Sequence, residues 1–125
     1  MTTRLLWLAL AGAAGTLARY GIAGLIQRYA GASFPWGTLA VNVSGCFMAG
    51  TLWSLFEYRW PVSGEVRAVA LIGFMGALTT FSGFALETSE LLRAAEWLRA
   101  AGNILAQNGL GLAALLAGLA LGRLL

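Results

Sequence analysis

Four apolar stretches take up most of the chain, at about residues 5–26, 36–56, 66–92 and 100–125, and short polar connectors separate them. A bilayer core calls for about 20 consecutive apolar residues of helix, and inside it every backbone group must be satisfied by the protein itself. The chain has 125 residues, of which 59% are hydrophobic and 10% charged, far from the composition of a soluble domain. The expected fold is an all-α membrane protein with four transmembrane helices in a single integral membrane domain, 1–125. The first stretch lacks an A-x-A cleavage pattern and reads as a retained helix rather than a signal peptide.

The third stretch is interrupted. Its middle, Gly73 to Phe84, reads GFMGALTTFSGF, with three glycines, two adjacent threonines and a serine. This composition weakens a helix, so the third helix is expected to be broken mid-membrane, with its opened backbone facing something polar. Phe81 and Phe84 follow the break at i, i+3 and share one face. Glu87 stands one turn further on, at the membrane edge or beside the polar path.

Other polar residues sit inside the apolar stretches. Thr38, Asn42, Gly45 and Ala49 fall on one face of the second, where Asn42 either bonds to a neighbouring helix or lines a pore. Asn103, Gln107 and Gly111 form a stripe on the fourth, with Asn108 beside it, as interhelical glue or the wall of a wet path. Arg19, within the first, either snorkels to the interface or stands in an aqueous vestibule where it attracts anions. Gly12, Gly15, Gly21 and Gly24, and the pair Gly118 and Gly122, suit close helix packing. Trp7, Trp36, Trp53, Trp60 and Trp97 lie near span ends, as an aromatic belt does. The lone Cys46 reads as a small buried hydrophobe.

The arginines are nearly balanced between the two sides of the membrane. Arg4, Arg59, Arg67 and Arg123 lie on one side; Arg28, Arg93 and Arg99 lie on the other, joined by Arg19 if it reaches the interface. Orientation follows an imbalance of such charges. With hardly any imbalance, both orientations are open, and two copies can pair as an antiparallel dual-topology homodimer. Four helices also enclose little space alone. There is no histidine, cysteine cluster, phosphate-binding loop or deep carboxylate pair, so no enzyme is expected. No basic cluster suggests nucleic acid. The polar groups left to line a path are Thr79, Thr80 and Ser82, the amides Asn42, Asn103 and Gln107, and the rings of Phe81 and Phe84.

These residues resemble the Fluc (CrcB) family of small bacterial fluoride channels along essentially the whole chain. The motifs are G-x-x-A-R-Y at Gly15 to Tyr20, P-W-G-T-L-x-V-N at Pro35 to Asn42, and G-x-L-T-T-F-S-x-F-x-x-E at Gly76 to Glu87. The resemblance implies an antiparallel dual-topology homodimer in the bacterial inner membrane, with two fluoride pores that export fluoride passively. It implies a structural sodium ion at the dimer centre, held by the backbone carbonyls of Gly76 and Thr79. The paired rings of Phe81 and Phe84 then meet the ion by their edges, and Asn42 donates to fluoride. Ser82, Asn103 and Gln107 are further donors, Thr38 joins the pore, and Arg19 and Glu87 belong to its vestibule. The chain departs from the family pattern at Ala77, where a second glycine is usual, at Gly83, where a threonine is usual, and at Gln107, where a smaller polar residue is common. The rival reading is a small multidrug-type dual-topology transporter, which needs a carboxylate deep in the first span; this chain has none. A non-transporting scaffold subunit would need neither the broken helix nor the aligned amides.

Overall fold

A computed structural model describes residues 1–125 and is helical almost throughout. The elements are α1 (Thr2–Ala30), α2 (Trp36–Tyr58), α3 (Gly64–Ala68), a π-helical segment (Val69–Met75), α4 (Gly76–Leu78), α5 (Phe81–Arg93) and α6 (Trp97–Leu124). Four units are long and apolar enough to cross a membrane: α1, α2, the bent unit Gly64–Arg93 and α6. The chain is a multi-pass membrane protein. Few residues are buried, and large apolar side chains are exposed along every span, a surface suited to lipid. All five tryptophans are in that set.

The helices run further than the apolar stretches. Gln27 to Ala30, expected in a connector, continue α1. The helix ends only where Gly31 takes φ 93°, a left-handed conformation that glycine adopts without a Cβ clash. Gln27 then ties the turn together: its Nε2 donates to the carbonyls of Gly31 and Phe34, and its Oε1 accepts from Gly37 N at 3.0 Å. The second connector is shorter than expected because Ser63 caps α3, its hydroxyl accepting from Val66 N.

Packing is closest between α2 and α6, where small residues replace side-chain bulk. A methyl group at Gly118 would overlap the Phe47 carbonyl, one at Gly50 the Leu115 carbonyl, and one at Gly122 would lie 2.6 Å from Ser54 Cβ. Ser54, itself buried, donates to the Leu119 carbonyl at 2.8 Å. On the other side α1 covers the π segment and α4, and α5 leans on α6. Val41, Met75 and Leu78 form the apolar centre where α2 meets the first half of the bent unit.

The ends of the spans sort as the arginine positions imply. Arg67 pairs with Glu57 at 3.2 Å, and Arg59 donates to the Arg123 carbonyl, so the second connector and the C-terminal end meet at one end of the bundle. Thr3 and Trp7 of α1 line a hollow there with Glu65 and Val66.

Candidate functional site

The bend in the third span is a true chain break. Thr79 (φ −89°, ψ 152°) and Thr80 (φ −143°, ψ 119°) are extended, while Gly76 remains helical at φ −63° and ψ −30°. Of the glycine and hydroxyl residues expected to weaken the helix, the two threonines supply the extended backbone. Thr80 ends it by capping α5, its Oγ1 accepting from Gly83 N at 3.0 Å. Gly73 instead lets α1 approach, a Cβ there standing 2.9 Å from Ala11 Cβ.

Two side chains from other spans hold the broken backbone. Asn42 of α2 pairs with Thr80 as a neighbouring β-strand would: its Oδ1 accepts from Thr80 N at 2.8 Å, and its Nδ2 donates to Thr80 O at 3.1 Å. Arg19 of α1 donates from Nε to Ala77 O at 3.1 Å, placing a cation at the C-terminal end of the first half-helix, where carbonyls lack ladder partners. Thr79 N and Oγ1 both return to Met75 O. Gly45 makes room for the crossing, since a methyl on it would overlap Thr79 Cγ2.

From Asn42 a chain of side chains runs into α6 and back to α5. Asn42 Nδ2 donates to Gln107 Oε1 at 3.0 Å, Gln107 Nε2 to Asn103 Oδ1 at 3.3 Å, Asn103 Nδ2 to Thr88 Oγ1 at 3.0 Å, and Thr88 Oγ1 to Phe84 O at 2.7 Å. Asn103 and Thr88 are buried, so each bond satisfies a group that water and lipid cannot reach. The chain fixes the relation of the break to Phe84 through two other spans.

Beside this chain lies an open cavity of about 200 Å³, lined by Asn42, Cys46, Thr79, Thr80, Phe81, Phe84, Gln107 and Asn108. No charged side chain lines it. The rings of Phe81 and Phe84 stand 5.4 Å apart, centroid to centroid, at an interplanar angle of 60°. Phe84 is buried, whereas Phe81 is 77% exposed. The N-terminal end of α5 opens beside them, where the first N–H groups of a helix have no intrahelical acceptor.

A family model described as CrcB-like protein, Camphor Resistance (CrcB), matches residues 6–119. The chain belongs to this family. Among curated relatives of this CrcB-family protein, a fluoride-specific ion channel FluC of Desulforapulum autotrophicum is 58% identical over 125 residues, the full length of both chains. Proteins of the same description from Nitrosococcus oceani and Solidesulfovibrio magneticus are each 51% identical, again over the full length of both chains. These relatives are named as ion channels, and the chain is not an enzyme.

The structure brings some of the expected CrcB-family site residues together and separates others. Asn42, Thr79, Phe81, Phe84 and Gln107 meet at the cavity. Asn103 does not: it is fully buried, donating to Thr88 Oγ1 and accepting from Gln107 Nε2. Asn42, expected as a fluoride donor, has both N–H groups engaged by Thr80 and Gln107. Thr38 and Glu87 form a separate pair, the Thr38 hydroxyl donating to Glu87 Oε1 at 2.6 Å, and neither lines the cavity. Ser82 is exposed, its Oγ 3.3 Å from Thr80 Oγ1. Arg19 does not line the cavity; its Nε reaches the Ala77 carbonyl instead.

Three further residues belong to the site, of which only Thr88 was passed over in the sequence. Cys46 lines the cavity rather than the apolar core, Asn108 stands on its wall, and Thr88 links Asn103 to Phe84. Thr88 had a readable signal, one turn after Phe84. Side-chain clusters of the kind that hold transition metals are absent. The carbonyls of Gly76 and Thr79 are opened in a specific way: their ladder donors, Thr80 N and Gly83 N, bond to Asn42 Oδ1 and Thr80 Oγ1 instead. Neutral backbone oxygens released by a broken membrane helix fit a monovalent hard cation.

Proposed function

We propose that this chain is a fluoride-selective channel that releases fluoride passively down its gradient and so relieves fluoride toxicity. The observation that carries this reading is the uncharged cavity at the break, where ring edges, amides and a helix N-terminus converge. A small anion holds its water tightly. A conducting pore must offer several replacement donors, none binding so strongly that the ion stays. Aromatic rings carry positive edges, and the N-terminal end of α5 carries a partial positive charge, so both attract an anion without a fixed cation.

The working unit in this reading is an antiparallel dual-topology homodimer in the bacterial inner membrane. The balance of Arg4, Arg59, Arg67 and Arg123 against Arg28, Arg93 and Arg99 supports it. The exposed ring of Phe81 and the open cavity it lines are consistent with a wall completed by a second copy. A structural sodium ion at the dimer centre would be held by the carbonyls of Gly76 and Thr79, and would supply positive charge to the opened backbone. Asn42 and Arg19 keep that backbone open by engaging Thr80 and the Ala77 carbonyl.

The test is efflux from liposomes containing the purified protein, followed with a fluoride electrode and repeated with chloride. Rapid fluoride release with little chloride release is expected. Equal release of both ions, or of neither, overturns the reading.

A further inference from the structure

Arg59, Arg67 and Arg123 gather at the end of the bundle where α2 and α6 finish together, but they are not equally partnered. Arg67 is neutralised by Glu57 at 3.2 Å and lies over the Trp53 ring, 5.1 Å from its centroid. The other ion pair of the chain joins Arg99 to Glu96, so Arg59 and Arg123 have no carboxylate. They are nonetheless held in place. Arg59 Nη2 donates to the Arg123 carbonyl at 3.4 Å, and the Arg123 guanidinium lies over the Tyr58 ring, 5.6 Å from its centroid. A guanidinium carries five N–H donors, of which Arg59 spends one and Arg123 none on the protein. With Tyr58 they line an open hollow of about 440 Å³. Leu112, Leu116 and Arg123 share one face of α6 by steps of four and seven residues, and both leucines are exposed. Exposed Tyr58 and Trp60 mark the end of α2 as interfacial anchors do. An apolar stripe at the depth of lipid tails therefore runs into two uncompensated cations at the depth of the headgroups.

We propose that Tyr58, Arg59 and Arg123 bind the phosphate of an anionic phospholipid whose acyl chains lie along Leu112 and Leu116. The planar fork of an arginine matches two phosphate oxygens at once, and the Tyr58 hydroxyl adds a donor at the same wall. Basic side chains at a membrane surface attract anionic lipid, and a zwitterionic headgroup brings an ammonium that offsets that attraction. The leucine stripe favours a lipid over free phosphate, because a soluble anion gains nothing from it. The site stands apart from ion conduction: none of its three residues lines the cavity at the break.

The experiment follows thermal unfolding of the purified full chain in detergent micelles while phosphatidylglycerol is titrated in, with phosphatidylcholine and inorganic phosphate as parallel titrants. The proteins compared are the wild type, Arg59→Gln/Arg123→Gln and, as a charge-matched control, Arg4→Gln/Arg93→Gln. The wild-type midpoint is expected to rise with phosphatidylglycerol and level off, as for a ligand bound by the folded state alone, and to stay flat with the other two titrants. In Arg59→Gln/Arg123→Gln the phosphatidylglycerol concentration that gives half the rise should increase about ten-fold, while the control pair responds as the wild type does. Arg123→Gln alone reads the same direction of change should the double variant fold poorly. An equal rise with phosphatidylcholine, a wild-type response in Arg59→Gln/Arg123→Gln, or the same loss in the control pair overturns the site. A rise with inorganic phosphate equal to that with phosphatidylglycerol overturns the lipid as its occupant.

Discussion

Asn42 grips Thr80 at both ends of its peptide group, accepting from the nitrogen at 2.8 Å and donating to the carbonyl at 3.1 Å. One side chain from α2 thereby does for the break what a neighbouring strand does in a sheet, satisfying a donor and an acceptor that no helix can serve. Asn42→Ala leaves both half-buried, and an unsatisfied buried polar group costs about 1–3 kcal/mol. Thermal unfolding in detergent should show a loss of about 2–4 kcal/mol, together with loss of fluoride flux. A purely ion-binding role for Asn42 would instead leave unfolding unchanged.

Phe81 and Phe84 form one ring pair but differ in burial, and the difference separates function from stability. The Phe81 ring is exposed in the single chain and Ile keeps a large apolar side chain there, so Phe81→Ile should destabilise less than loss of Phe84 while fluoride flux falls sharply. Phe84→Ala empties a buried site and should cost about 3–5 kcal/mol. Flux from Phe81→Ile equal to wild type would remove the ring edges from the mechanism.

Glycines on two helices offer a paired control. Gly45→Ala forces a methyl group against Thr79 and should destabilise the protein by about 1–3 kcal/mol through overpacking. Nothing lies within 4 Å of a Cβ at Gly21, so Gly21→Ala should leave stability unchanged or slightly raised. Equal behaviour of the two variants in thermal unfolding would contradict the crossing described at the break.

Arg19→Lys keeps the charge but loses the Nε donor that reaches Ala77 O. A loss of about 1 kcal/mol is expected in the same unfolding assay, and a variant that melts like wild type would show that the bond contributes nothing.

Sodium should matter to stability rather than to ion selectivity. Replacing it with a large organic cation is expected to lower the unfolding midpoint of the purified protein and to restore it on readdition, since a ligand that binds only the folded state stabilises by mass action. An unaltered midpoint across that exchange would count against a bound cation at Gly76 and Thr79.

The four spans were legible because hydropathy depends on segments of about 20 residues, and the aromatic and glycine positions follow from the same geometry. The break was legible in place but not residue by residue: the dense glycines and hydroxyls of GFMGALTTFSGF marked it, and the structure puts the extended backbone at Thr79 and Thr80 while Gly76 stays helical. A threonine three residues before Gly83 was the available cap signal. The partners of the amides were not legible, since Asn42 meets Thr80 from 38 residues away and Gln107 from 65. Helical periodicity puts Asn103 and Gln107 on one stripe without saying whether that stripe faces a cavity or another helix; the structure turns Gln107 to the first and Asn103 to the second.

The bonds that link Thr80 to Phe84 all donate in one direction: Thr80 N to Asn42, Asn42 to Gln107, Gln107 to Asn103, Asn103 to Thr88, and Thr88 to the Phe84 carbonyl. Relaying a proton needs an atom that both receives and releases one, as a hydroxyl or water oxygen does. In Asn42, Gln107 and Asn103 the accepting oxygen and the donating nitrogen are different atoms, so a proton arriving at one has no route out through the other. The wall beside the cavity is thus dense in hydrogen bonds yet insulating to protons, and a membrane containing this protein keeps its pH gradient along that path.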